Sequence, residues 1–143
     1  MEDNVKRFLK AHRISVAGIL QSDGSIHSAT MHYAHTEEPL MFFFMTDKGS
    51  RKCRPLQNNE SVQASLVIGF NEEEMATFQA EGEICFLKPE NEQTGWETYT
   101  KKYPNRAAGK NDPDVVVLQF TPNWARFSDY QGQSPIESLL KSE

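Results

Sequence analysis

Thr46-Asp47-Lys48-Gly49-Ser50-Arg51-Lys52 is the stretch of this chain whose residue types and spacing can do chemistry. An apolar run ends there, a short turn follows, and a helix is expected to start at Ser50. Unpaired N–H groups at such a start, the Thr46 and Ser50 hydroxyls, and the Arg51 and Lys52 cations together suit a phosphate. The same residues also make an ordinary solvated basic turn. A second feature favours the phosphate. In residues 25–34, Ser28, Thr30 and His32 alternate with Ala29, Met31 and Tyr33, which puts a polar strip on one face of a strand and an apolar face on the other. A polar strip beside an aromatic-rich strand can accept a planar heterocycle that needs edge hydrogen bonds and an apolar surface.

Other chemistries find less support. The chain has no G-x-S-x-G, G-x-G-x-x-G or phosphate-loop lysine motif; Gly109-Lys110 lacks the upstream Gly and the following Ser or Thr. His27, His32 and His35 resemble a metal cluster in one dimension, but strand alternation places His27 opposite His32, so no metal site is expected. Glu72-Glu73-Glu74 reads as a solvated connection. Cys53 and Cys85 form no C-x-x-C pair and are read as reduced thiols. No side chain is assigned a catalytic role.

The elements that must position these residues follow from periodicity. Val5, Phe8, Leu9 and His12 predict an N-terminal amphipathic helix. Residues 14–21 and 25–34 flank Ser22-Asp23-Gly24, a hairpin signal. Residues 40–46, Leu-Met-Phe-Phe-Phe-Met-Thr, are apolar on both faces, which predicts an inner strand with one side on the core and the other against a second subunit or a ligand. A short helix over 50–58 contains Pro55, which should kink or shorten it. Val62, Ala64, Leu66, Ile68 and Phe70, then Ala76, Phe78, Ala80, Gly82, Ile84 and Phe86, predict two strands with one buried face each. Trp96, Tyr99 and Tyr103 mark one side of a helix that Pro104 ends. Residues 105–114 read as a polar loop, 115–121 and 124–128 as one or two strands around Pro122-Asn123. Ser134-Pro135-Ile136-Glu137 reads as a capping box opening a last helix. The sum is mainly β (α+β): a six- to seven-stranded antiparallel barrel with peripheral helices.

With 143 residues, residues 1–143 are expected to form a single domain. Fifteen Lys and Arg against twenty Asp and Glu give a net charge of −5, without the clustered cations that a nucleic-acid backbone requires. No run approaches a membrane span and no signal segment is visible, so a soluble, cytoplasmic protein is expected. An apolar fraction somewhat below the usual range suggests that part of the core is shared in an oligomer.

The order of elements resembles a known family: helix, hairpin, apolar strand ending in Met45-Thr46, then Ser50-Arg51-Lys52, a helix carrying Leu56, a strand, and a strand reaching Glu81-Gly82. It is similar to the FMN-binding split barrel of the pyridoxamine 5'-phosphate oxidase-like family, whose aromatic strand ends in Tyr/Phe-Thr before Ser-x-Lys or Ser-Arg-Lys. The resemblance runs over residues 4–128 and implies a split-barrel homodimer with FMN as cofactor. It would put the FMN phosphate on Arg51 and Lys52, assisted by Ser50. Met45 and Thr46, with Thr30, Met31 and His32, would border the ribityl chain and the ring, and Thr77 would stand where the family often has a Gln. It implies a flavin-dependent oxidoreductase using a small-molecule substrate or electron donor; a flavin store or sensor, or a barrel using deazaflavin or haem, is the alternative. The likeness does not extend to the oxidases' substrate signatures. Residues 28–31 contain no Arg, and residues 129–143 contain neither Arg nor His. The chain therefore resembles the short, general-stress-type members more than the oxidase itself.

Overall fold

Val5, Phe8 and Leu9 form the buried stripe of helix α1 (Asp3–Ala11) in the computed structural model, which describes residues 1–132 and 136–140. Lys10 sits in its last turn, where a cation complements the helix dipole. The hairpin follows as expected. β1 (Ile14–Leu20) and β2 (Ile26–His32) pair antiparallel with Leu20 opposite Ile26. The chain then turns into β3 (Ala34–Glu37) and back through β4 (Leu40–Asp47), with Ala34 opposite Phe43.

After a 3-10 helix (Arg51–Gln57) come β5 (Val62–Ile68), β6 (Ala76–Phe86), helix α2 (Glu92–Lys102), a second 3-10 helix (Pro104–Asn111), β7 (Val115–Asp129) and β8 (Ile136–Leu140). Seven strands run in the order β2-β1-β5-β6-β7-β4-β3, every pair antiparallel, and β8 adds to β7. β2 also packs against β4, so the two ends of the sheet approach each other and the sheet curls into a split barrel. The fold is thus mainly β with helices at its periphery.

Phe42 and Phe44 point into the barrel among Ile19, Leu66, Phe78 and Leu118, while Phe43 points outward; all three Phe are fully buried. Burial on both sides was expected, but a second subunit or ligand was expected on the outer side. Instead α2 of the same chain covers it: Met41 and Phe43 pack against Trp96, Tyr99 and Tyr103. The aromatic stripe of α2 is a second, smaller core.

Several expectations change because long-range pairing overrides local signals. Of the one or two strands expected after residue 115, residues 115–129 form one. The extra length at Pro122-Asn123 is taken up as a bulge opposite Gly82, where the register shifts. A side chain at Gly82 would run into the Thr121 carbonyl oxygen, so only glycine fits. The polar loop expected at 105–114 contains the Pro104–Asn111 helix. Ile136 and Glu137 do not open a helix: residues 136–140 are strand β8, paired with β7. Ser134 and Pro135 of the expected capping box lie outside the described residues. Gly69 takes a φ of +77° and ends the alternation of β5, leaving Phe70, expected inside, half exposed.

Candidate functional site

β4 ends at Asp47, whose side chain and carbonyl organise the turn. Gly49 N–H donates to Asp47 Oδ1 at 2.8 Å and Ser50 N–H to the Asp47 carbonyl at 3.1 Å. Ser50 stands at the helix start, but its hydroxyl does not cap the backbone; it faces Cys53 Sγ at 3.5 Å. The helix is 3-10 rather than α, a tighter winding seen in short pieces, here with Pro55 inside. Arg51 is exposed, and Ser50, Lys52, Met45 and Thr46 are half-buried. Cys53 is buried against the Asp47 carbonyl, and burial pushes its thiol up. Cys85 is also free, buried and pushed up.

β2 packs against both β4 and the Arg51–Gln57 helix. Thr30 and His32, exposed on the outer face of β2, thus lie on a strand that adjoins the elements bearing Met45, Thr46, Arg51 and Lys52. Met31 does not join them. Its side chain is 6% exposed in the core, and its carbonyl accepts from the Ser15 hydroxyl at 2.9 Å. Thr77 is three strands across the sheet from His32, with β1 and β5 between them, and far from Thr46 along β7. Thr46 pairs with Val116 and Thr77 with Ser128, twelve residues apart along β7. That is up to about 40 Å at a strand's rise per residue. Its hydroxyl donates to the Ile68 carbonyl at 3.2 Å.

Sequence reasoning missed the wall that α2 builds here. The Tyr103 ring meets His32 edge-on at 5.5 Å, and its hydroxyl donates to the Tyr33 carbonyl at 2.6 Å. The Arg13 guanidinium lies 4.9 Å from the Tyr103 ring centre. Burial pushes the Tyr103 phenol up to about 12 and the Tyr99 phenol upward as well, so both remain neutral hydrogen-bonding groups. Gly109 lies against Met45: a side chain there would approach Met45 Sδ to 2.9 Å. The aromatic spacing of α2 was visible in the sequence; that it closes over Met45 and His32 was not.

A second titratable cluster also went unseen. Lys102 is half-buried, with its ammonium 4.1 Å from the Tyr33 ring centre and donating to the Leu9 and His12 carbonyls. Burial, then Arg13, lowers it to about 8. His35 lies nearby, lowered to about 4 by burial and then by Lys102. Residues 10, 35 and 102 meet only in the fold, so no local signal marks them.

The Ser50–Lys52 end offers a guanidinium, an ammonium and hydroxyls on adjoining elements, a donor set that fits a phosphate ester. The outward face of Thr30 and His32 continues it. Among the described residues no three His, Cys, Asp or Glu side chains converge as metal ligands. No described helix is long and apolar enough to cross a membrane.

A family model for pyridoxamine 5'-phosphate oxidase matches residues 1–129. Among curated proteins no sequence matches. Solved structures share the fold. A protein from Clostridium acetobutylicum related to general stress protein 26, of the pyridoxinephosphate oxidase family, is 18% identical, with 95% of this chain and 92% of that one covered and a TM-score of 0.66. HutZ, a haem storage protein from Vibrio cholerae, is 13% identical over 85% of this chain and 89% of its own, with a TM-score of 0.69. A haem-binding protein from Mycobacterium smegmatis is 10% identical over 98% of this chain and 59% of its own, with a TM-score of 0.73. At such identities the likeness is one of fold.

Proposed function

The chain belongs to the pyridoxamine 5'-phosphate oxidase family, and from that premise we propose that it is an FMN-binding oxidoreductase acting on a small molecule as a homodimer. The observation that carries this reading is the packing of β2, which bears Thr30 and His32 on its outer face, against β4 and the Arg51–Gln57 helix, which bear Met45, Thr46, Arg51 and Lys52. Arg51 and Lys52 hold the phosphate, and Ser50 donates to it. Thr30, His32, Met45 and Thr46 border the remainder of the cofactor, with Met31 contributing backbone only.

The flavin, when bound, supplies hydride or electron transfer. The protein's part is to orient it. His32, exposed and braced by the Tyr103 ring, would offer the flavin a hydrogen-bonding imidazole. Pyridoxamine phosphate oxidation is not part of the proposal, because the chain lacks the arginines expected for that substrate.

Dimerisation is supported by the same face. Ile14, Val16 and Val67 are 45%, 44% and 37% exposed, and Ile14 and Val16 stand opposite His32 and Thr30 in the sheet. A partner covering these side chains would enclose the strip.

Haem is the second reading, favoured by the exposed imidazole of His32 and by the haem proteins that share the fold. The visible spectrum of the purified protein separates the two: a flavin band is expected, and a Soret band in its place would overturn the flavin reading. Arg51→Ala should weaken FMN about tenfold to a hundredfold and riboflavin little, since a charge-assisted hydrogen bond to phosphate is worth about 1.5–3 kcal/mol. Equal losses for both would refute the phosphate assignment. NADH or NADPH should reduce bound FMN faster than free FMN in stopped flow; no acceleration and no turnover would mark a flavin store.

A further inference from the structure

Between the end of α1, strand β3 and the outer edge of α2 lies a cleft of about 640 Å³. His35, Thr36 and Glu37 form one wall, Lys101 and Lys102 the other, and Lys10 stands at the rim. The His35 side chain is only 6% exposed, its ring stacked on Phe42 with centroids 6.0 Å apart. Among the described residues its Nε2 has no hydrogen-bond partner, and neither does the buried Oε2 of Glu37. The two atoms lie 3.7 Å apart, too far for a direct hydrogen bond. One hydroxyl group beside the pair reaches both, accepting from the imidazole N–H and donating to the carboxylate.

Charge adds a second requirement. Lys10, Lys101 and Lys102 face a single carboxylate across this cleft. Lys102 is engaged with the Leu9 and His12 carbonyls, but Lys10 and Lys101 make no ion pair among the described residues. A bare anion would satisfy the lysines and leave His35 and Glu37 unpartnered; a neutral polyol would do the reverse.

We propose that this cleft is a binding site for a small hydroxylated anion, of the polyol phosphate or hydroxy acid class. The anionic group lies against Lys10 and Lys101, and a hydroxyl bridges His35 Nε2 and Glu37 Oε2. The neutral state of His35 agrees with this, because an uncharged imidazole presents a single N–H to the hydroxyl. The site is separate from the Ser50–Lys52 end and does not depend on what binds there.

The test is isothermal titration of the full chain with glycerol 3-phosphate and, separately, glycerate, against inorganic phosphate and glycerol. Saturable one-to-one binding of at least one hydroxy anion is expected, at least tenfold tighter than either control; whichever binds better identifies the anionic group. His35→Phe should weaken it about tenfold and the exposed-site variant Lys101→Ala several-fold, while Arg51→Ala leaves it unchanged. No saturable binding of either compound below about 10 mM, or equal binding by wild type, His35→Phe and Lys101→Ala, would overturn the proposal. Because Lys101 is exposed, its variant remains informative even if His35→Phe disturbs the fold.

Discussion

Burial and the neighbouring Lys102 ammonium lower the folded-state pKa of His35 to about 4, from an ordinary value of 6.5. Between those values the unfolded chain takes up a proton that the folded chain refuses. Stability from this residue is therefore complete above about pH 6.5 and is lost as pH falls toward 4. Glu37 opposes the shift only in part. The loss should amount to about 2–3 kcal/mol. Urea unfolding across that range checks it, with His35→Phe giving a flatter profile than wild type; parallel profiles would mean that other groups carry the acid sensitivity. Lys102 acts in the opposite window. Its folded-state value near 8, against 10.5, means that the cost of burying its charge is relieved as pH rises through that interval.

β4 and α2 hold each other through Phe43, which is fully buried between the strand and the helix's aromatic side. Truncation there should cost about 3–5 kcal/mol, the usual range for a buried Phe. Phe43→Ala should lower the urea midpoint accordingly and reduce amide-exchange protection in α2 more than in β5 or β6. Uniform loss of protection would mean that the second core does not act as a separable unit. The consequence reaches the candidate site, because α2 carries Tyr103 against His32 and leads into the segment that covers Met45. A loosened α2 should weaken the proposed FMN binding even though Phe43 is not at the Thr46 end of β4.

Assembly is the question at the scale of the whole molecule. Val16 and Val67 face each other across β1 and β5 on the outer side of the sheet, next to Thr30. Buried apolar side chains of this size contribute about 1.5–3 kcal/mol each, so introducing a charge at this face should be felt strongly by a dimer. The double variant Val16→Asp with Val67→Asp is expected to sediment as a monomer of 16.3 kDa, and the wild-type chain is expected to sediment at twice that mass. A monomeric wild type at micromolar concentration would remove the dimer.

Local spacing within a few residues determined much of this protein. The stripe of Val5, Phe8 and Leu9, the hairpin at Asp23-Gly24, the two-sided burial of Phe42, Phe43 and Phe44, and the basic turn at Ser50-Arg51-Lys52 all depend on neighbours in the chain, and all were legible. Contacts between distant segments decided the rest. The pairing of β8 with β7 overrode a helix-capping signal at Ile136-Glu137, because a ladder of backbone hydrogen bonds outweighs a terminal propensity. The bulge opposite Gly82 decided that residues 115–129 run as one strand where one or two were open, and α2 rather than another molecule closed over Phe43. Met31 turned inward and Thr77 came to lie at the far end of β7, since strand register, not motif order, fixes which way a side chain points. The cleft of Lys10, His35 and Lys102 exists only in three dimensions: α1, β3 and α2 each place one part of it, and the energetic consequence, a buried imidazole facing an ammonium, arises only when the barrel closes.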